Sequence, residues 1–227
     1  MSKYLSCAET SKLVRQSLKE SFPSVKFSVR SSVYSGGASI TVSYQDGPAG
    51  KLVEAVAKRF QGGYFDGMID YKGSVSHLLD GERVSFGANF IFVSRDHSDA
   101  QVARAIAFIE AKYPGNKIDG SVEEFKKGLL YNRFHKGGDW SPNNSLQCEI
   151  NAVLSKLSSV AGPTESASLA RVSFYGDDGY GRGTLGMPGS PGGEQCYKAI
   201  SANQDRIAAA KIAAIPKILG PASEVLQ

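Results

Sequence analysis

The chain has 227 residues, 41% hydrophobic and 21% charged, with a formal net charge of +4. Those values fit one domain, or one domain with an appendage, and exclude a chain that is disordered throughout. No run approaches the roughly 18 uninterrupted apolar residues of a membrane span, and MSKYLSCAETSKLV lacks the apolar core of a secretory signal, so a cytoplasmic protein with no membrane partner is expected.

Ser6-Cys7-Ala8-Glu9 has the form of a capping box and opens a helix with Leu13, Val14 and Leu18 inward, stopped at Phe22-Pro23. Residues 26–48, KFSVRSSVYSGGASITVSYQDGP, then read as a hairpin. Phe27, Val29, Ile40, Val42 and Tyr44 share its apolar face, and Lys26, Ser28, Arg30, Ser39, Thr41 and Ser43 share the other. Asp46-Gly47-Pro48 supplies a turn and a Pro suited to a first helical position, ahead of a helix to about Phe60. A Gly-rich link, GGYFDGMIDYKG, leads to VSHLLDGERVSFGANFIFVS, a second hairpin around Asp80-Gly81. Ser98-Asp99-Ala100-Gln101 caps a third helix that ends before Tyr113-Pro114-Gly115.

After a soft boundary near 114–121, Ser121-Val122-Glu123-Glu124 caps a short helix through Leu130, and an irregular link holds Trp140. Residues 145–160 carry the clearest helical periodicity, ended by Gly162-Pro163. LARVSFY is a short strand, residues 176–193 a Gly-rich loop, and about 194–214 an Ala/Ile-rich helix interrupted at Pro216. The expected fold is α+β: an antiparallel sheet with helices on one face, in the order helix, hairpin, helix, hairpin, helix, over residues 1–115. A mainly helical region, 116–227, follows, continuous with it or separate.

Candidate chemistry is sparse. GRGTLG at 181–186 matches GxGxxG after a strand, but MPGSPGG follows it where a dinucleotide site needs a helix, so no cofactor is expected. The loop still presents Asp177, Asp178, Tyr180 and Arg182 as contacts for a partner. His77, His97 and His135 form no ligand spacing, and Cys7, Cys148 and Cys196 form no CxxC, which fits a reducing compartment without structural zinc or disulfides. Cys7 lies in a helix first turn, where the dipole lowers a thiol pKa; Asp66 and Asp70, four apart in the most acidic stretch, offer a candidate divalent-ion pair.

The charge is uneven. Residues 1–60 hold nine Lys/Arg and four Asp/Glu, and the remainder 17 and 18, so the basic excess lies in the first quarter. Lys12, Arg15 and Lys19 form one outward stripe of the first helix; with Lys26, Arg30, Lys51, Lys58 and Arg59 they provide an electrostatic surface for an anionic partner, and Tyr34 at the turn offers a stacking surface.

The string from Tyr4 to Arg95 resembles the large polyvalent protein-associated domain family numbered twenty-nine. The residues that carry this are the Ser-Cys-Ala-Glu-Thr helix start, Ser-Val-Arg-Ser, Ser-Gly-Gly-Ala-Ser-Ile, Asp46-Gly47-Pro48, the stretch Phe65 to Asp70 and FGANFIFVSR. One departure is Tyr44, where the family pattern has Trp. The resemblance implies an α+β module carried by phages and plasmids, in proteins that help the incoming element against host defences. It implies no catalytic residues at numbered positions here, and it leaves the chain after about residue 115 uncovered. The leading expectation is therefore a non-enzymatic protein that counters a restriction or CRISPR-type nuclease complex by binding it or its nucleic acid. A metal-dependent or thiol enzyme on nucleic acid, using Asp66, Asp70, His77 or Cys7, is the second reading. A structural module that self-associates into a homo-oligomer through the C-terminal helix is the third.

Overall fold

A computed structural model describes residues 2–114, 118–133, 144–160, 162–180, 187–190 and 193–194. The helix expected at about 194–214, the link with Trp140, the GRGTLG segment and Arg182 lie outside the described residues. In chain order the elements are β1 (Lys3–Leu5), α1 (Cys7–Ser21), β2 (Ser28–Tyr34), β3 (Gly37–Gln45), α2 (Gly50–Ala57) with a 3-10 turn at Lys58–Phe60, β4 (Gly63–Asp66), β5 (Tyr71–Leu79), β6 (Glu82–Phe86) and β7 (Phe90–Asp96). Then come α3 (Asp99–Lys112), α4 (Val122–Lys126), α5 (Leu146–Lys156), α6 (Ala167–Ala170) and β8 (Val172–Asp177).

The described residues up to Asp96, with those from Val160 onward, form one compact unit. Its α1 begins as its sequence dictates: Ser6 Oγ accepts the Glu9 amide at 3.3 Å while a Glu9 carboxylate oxygen accepts the Ser6 amide at 2.8 Å. Pro48 precedes α2 rather than starting it; its carbonyl accepts the buried Tyr44 hydroxyl at 3.0 Å, and burial pushes that phenol up to about 12.

Two sheets replace the single antiparallel one expected. The first has the order β2-β3-β7, and the second β1-β6-β5-β4 with β8 also on β5. Both are mixed, because β7 runs parallel to β3 and β1 parallel to β6. The Asp80-Gly81 hairpin forms as β5–β6, but the apolar run after it leaves that sheet. Asn89 makes the switch: its amide donates to the Ala38 carbonyl at 2.9 Å, and its side-chain oxygen accepts the Ala38 amide at 2.8 Å. The parallel ladder then starts at Ser39 opposite Phe90. The Gly-rich link is not a loop either, since it supplies β4 and the start of β5.

The core lies on one face of the β2-β3-β7 sheet. Ile40, Val42 and Ile91 are buried together with Val14 and Leu18 of α1 and Leu52, Val53 and Val56 of α2. Each such aliphatic side chain contributes roughly 1.5–3 kcal/mol by leaving water. A strand from the second half of the chain, β8, completes the other sheet, and Thr164 to Ser168 dock on the end of α1. There the half-buried Glu20 carboxylate accepts from Ser166 Oγ (2.6 Å), the Ser168 amide (2.9 Å), Gln16 Nε2 (2.7 Å) and Ser168 Oγ (2.8 Å). Those donors hold its pKa down at about 2.

His97–Ser159 belong to a second unit. Ser98, Ser121 and Ser145 each accept an amide three residues on and so start α3, α4 and α5. Val102, Ile106 and Ile109 are buried with Ile150, Val153 and Leu154. The helix expected over 145–160 ends at Lys156, because Leu157 is extended, with ψ at 132°.

Two outcomes follow for stability. A carboxylate with a depressed pKa stabilises the folded state above its unfolded value of 4.5 and loses that contribution as pH falls through about 2. Thermal unfolding across this window should therefore fall more steeply for the native chain than for Glu20→Gln; parallel curves would contradict the Glu20 clasp. Asn89→Ala strands the Ala38 amide and should cost about 1–3 kcal/mol in denaturant unfolding. An unchanged midpoint would show that the β3–β7 ladder does not rely on it.

Candidate functional site

Of the basic residues, Lys51 and Lys58 both pair with Glu54, at 3.0 and 3.3 Å, and Arg59 pairs with Glu194. Arg15 donates to the Val29 carbonyl at 2.8 Å, on the edge strand β2. Lys12, Lys19, Lys26 and Arg30 are exposed and make no hydrogen bond or ion pair among the described residues.

These four do not form one patch. Val29 is buried toward α1, so alternation along β2 turns Arg30 to the opposite side of the sheet, while Lys26 lies two residues before that strand. Lys12 and Lys19 stand on the solvent side of α1, which covers the inner face. The sheet thus separates the basic stripe of the helix from Arg30 on the strand.

The outward face of the β2-β3-β7 sheet holds more than the expected polar residues. Register aligns Arg30, Thr41 and Phe92 in one cross-strand row, and Ser32, Ser39 and Phe90 in the next. The Phe90 and Phe92 rings are stacked, with centroids 6.3 Å apart and planes at 30°. Phe92 is 56% exposed and Tyr34 48%. Lys72 of β5 donates to the Gly36 carbonyl at 2.8 Å and holds its ammonium 5.9 Å from the Phe90 centroid. Gly37 lets this corner close, since a Cβ there would stand 3.3 Å from both Lys72 Nζ and the Tyr34 ring, and only 2.8 Å from Asn89 Oδ1. Such a surface offers planar stacking and positive charge together. Phe90, Phe92 and Lys72 are absent from the candidate residues read in the sequence. The signal for them was the phase of FIFVSRD, in which Ser94 and Asp96 fall on the same side as both phenylalanines.

The acidic loop residues serve the fold. Asp178 accepts from the Tyr64 hydroxyl (2.6 Å), the Ser74 amide (2.6 Å) and the Tyr71 hydroxyl (3.1 Å). Burial raises its pKa, but these bonds and one from the Tyr180 amide outweigh it and hold the carboxyl below its ordinary value. Asp177 accepts the Gly179 amide at 2.9 Å; Tyr180 is 77% exposed, its ring 5.9 Å from that of Tyr71.

The residues of the enzyme reading are not gathered. Asp66 is buried and accepts the Met68 amide at 3.0 Å, whereas Asp70 is exposed with φ at 51°. His77 is buried on β5, its ring 4.9 Å from that of Phe86, and burial pushes its pKa down to about 4. Cys7 donates to the Ser39 carbonyl at 3.5 Å, and burial pushes the thiol up, against the lowering expected from the helix start. No group of three or more His, Cys, Asp or Glu suited to a metal ion occurs among the described residues. No helix among them is long and apolar enough to cross a membrane.

No curated protein and no solved structure matches the chain. A family model does match, over the stretch that holds β2, β3, β7, α1 and α2. Residues 5–98 match the model of the large polyvalent protein associated domain 29, the family that the sequence from Tyr4 to Arg95 resembles.

Proposed function

We propose that the chain is a non-catalytic binding protein of a phage or plasmid. It acts in the cytoplasm of a bacterial host and counters a restriction or CRISPR-type nuclease system by binding that complex or the nucleic acid it handles. The observation that carries this reading is the state of the charges in the matched unit. Lys12, Lys19, Lys26 and Arg30 are exposed and in no ion pair among the described residues, while Glu20, Asp178 and Glu54 are occupied with bonds of the fold itself. A unit arranged in this way attracts an anionic surface, and its association is salt-dependent. The matched domain supports the mobile-element setting, because domains of this family accompany large polyvalent proteins.

Expression in hosts carrying a restriction or CRISPR-type system should raise the survival of an incoming unprotected plasmid. The Lys12→Ala/Lys19→Ala/Arg30→Ala variant should lose that protection while keeping the native unfolding midpoint. Equal survival with and without the chain, across both kinds of host, would contradict the proposal.

A further inference from the structure

We propose that the outward face of the β2-β3-β7 sheet is a stacking platform for single-stranded nucleic acid. Bases lie on Phe92, Phe90 and Tyr34, and the backbone phosphates meet Arg30 and Lys72. This deepens the binding reading above and rests on it.

Four observations carry it. The first is the pair of adjacent rings: Phe90 and Phe92 are two residues apart on one strand, with centroids 6.3 Å apart, so neighbouring bases can each find a ring. The exposure of Phe92 is the second, since a ring so open on the face of a sheet loses apolar contact with nothing in return unless something lies on it. Third, cations flank the aromatics on both sides. Arg30 stands across Thr41 from Phe92, and Lys72 stands beside Phe90 with two of its three N–H donors left after Gly36. By alternation the one carboxylate on this face of the three strands is Asp96, at the far end of β7.

The fourth observation separates nucleic acid from protein. Between the rings and cations the face is lined by Ser32, Ser39, Thr41 and Ser43. Serine is depleted in protein–protein interface cores, whereas short hydroxyls suit phosphate and sugar oxygens. A duplex suits this surface less, because its bases are already stacked on one another and leave no ring face free for Phe90, Phe92 or Tyr34. Splayed single strands present the ring faces that aromatics on a sheet take up.

The test is fluorescence anisotropy of the intact chain with fluorescein-labelled, mixed-sequence single strands of about 12 nucleotides, DNA and RNA, and with the matching duplex. The single strands should bind at least tenfold more tightly than the duplex, roughly the gain of one well-stacked base. Phe92→Ala should weaken single-strand binding about tenfold, Phe92→Tyr should restore it, and Arg30→Ala should lower the salt slope by about 1. Three results overturn the inference: no binding of single strands at low salt, equal binding of duplex, or undiminished binding by Phe90→Ala/Phe92→Ala with a native unfolding midpoint. A chain that protects the incoming plasmid yet binds no single strand keeps the proposed function and loses this platform. One that binds single strands but gives no protection does the reverse.

Discussion

The parallel ladder between β3 and β7 is the constraint from which the rest of the matched unit follows. Side chains alternate along a strand, so a slip of one residue would bring Phe90 and Phe92 into the core and turn Ile91 and Val93 out. Asn89 prevents that slip by taking both backbone groups of Ala38, leaving Phe90 opposite Ser39. Arg95 fixes the other end of the strand, with Nε donating to the Asp46 carbonyl at 2.7 Å. With both ends fixed, the branched residues pack on α1 and α2, and the flat rings face outward beside Arg30.

The same unit spends its carboxylates on its own assembly. Glu20 ties the returning segment Ser166–Ser168 to the end of α1, and Asp178 ties the end of β8 to Tyr64, Tyr71 and Ser74 of the β4–β5 hairpin. Both draw chain from beyond residue 159 onto elements that precede residue 97. A carboxylate satisfied by several donors is not offered to a cation elsewhere, so Lys12, Lys19, Lys26 and Arg30 keep their charge for a partner. Internal wiring and external charge are thus two sides of one allocation.

Much of this was legible in the residues. The Ser6 and Ser121 capping boxes, the Asp80-Gly81 turn and the alternation of Val29, Ile40 and Val42 are local signals, and local chemistry decides them. Strand partners are not local. FIFV reads as a continuous apolar run, and nothing within it says that its neighbour is β3 rather than β6. The charge of Lys12, Lys19, Lys26 and Arg30 was visible as well, but the division of Lys12 and Lys19 from Arg30 by the sheet depends on which face α1 covers. Asp178 looked like a loop contact because three of its partners, Tyr64, Tyr71 and Ser74, lie more than a hundred residues earlier. Glycine at 37 marked a turn in the sequence; its second role, giving room to Lys72 and Tyr34, appears only once β5 is beside it.

The account's central claim is that Arg30, Thr41 and Phe92 form one ligand-facing row. Nuclear magnetic resonance of the isotope-labelled chain, titrated with a short unlabelled single strand, tests it most directly. The account predicts that aromatic and side-chain signals of Phe90, Phe92, Tyr34 and Arg30 shift together, while those of the inward residues Ile40, Val42 and Ile91 stay in place. Shifts confined to α1, or spread evenly over the chain, would contradict it.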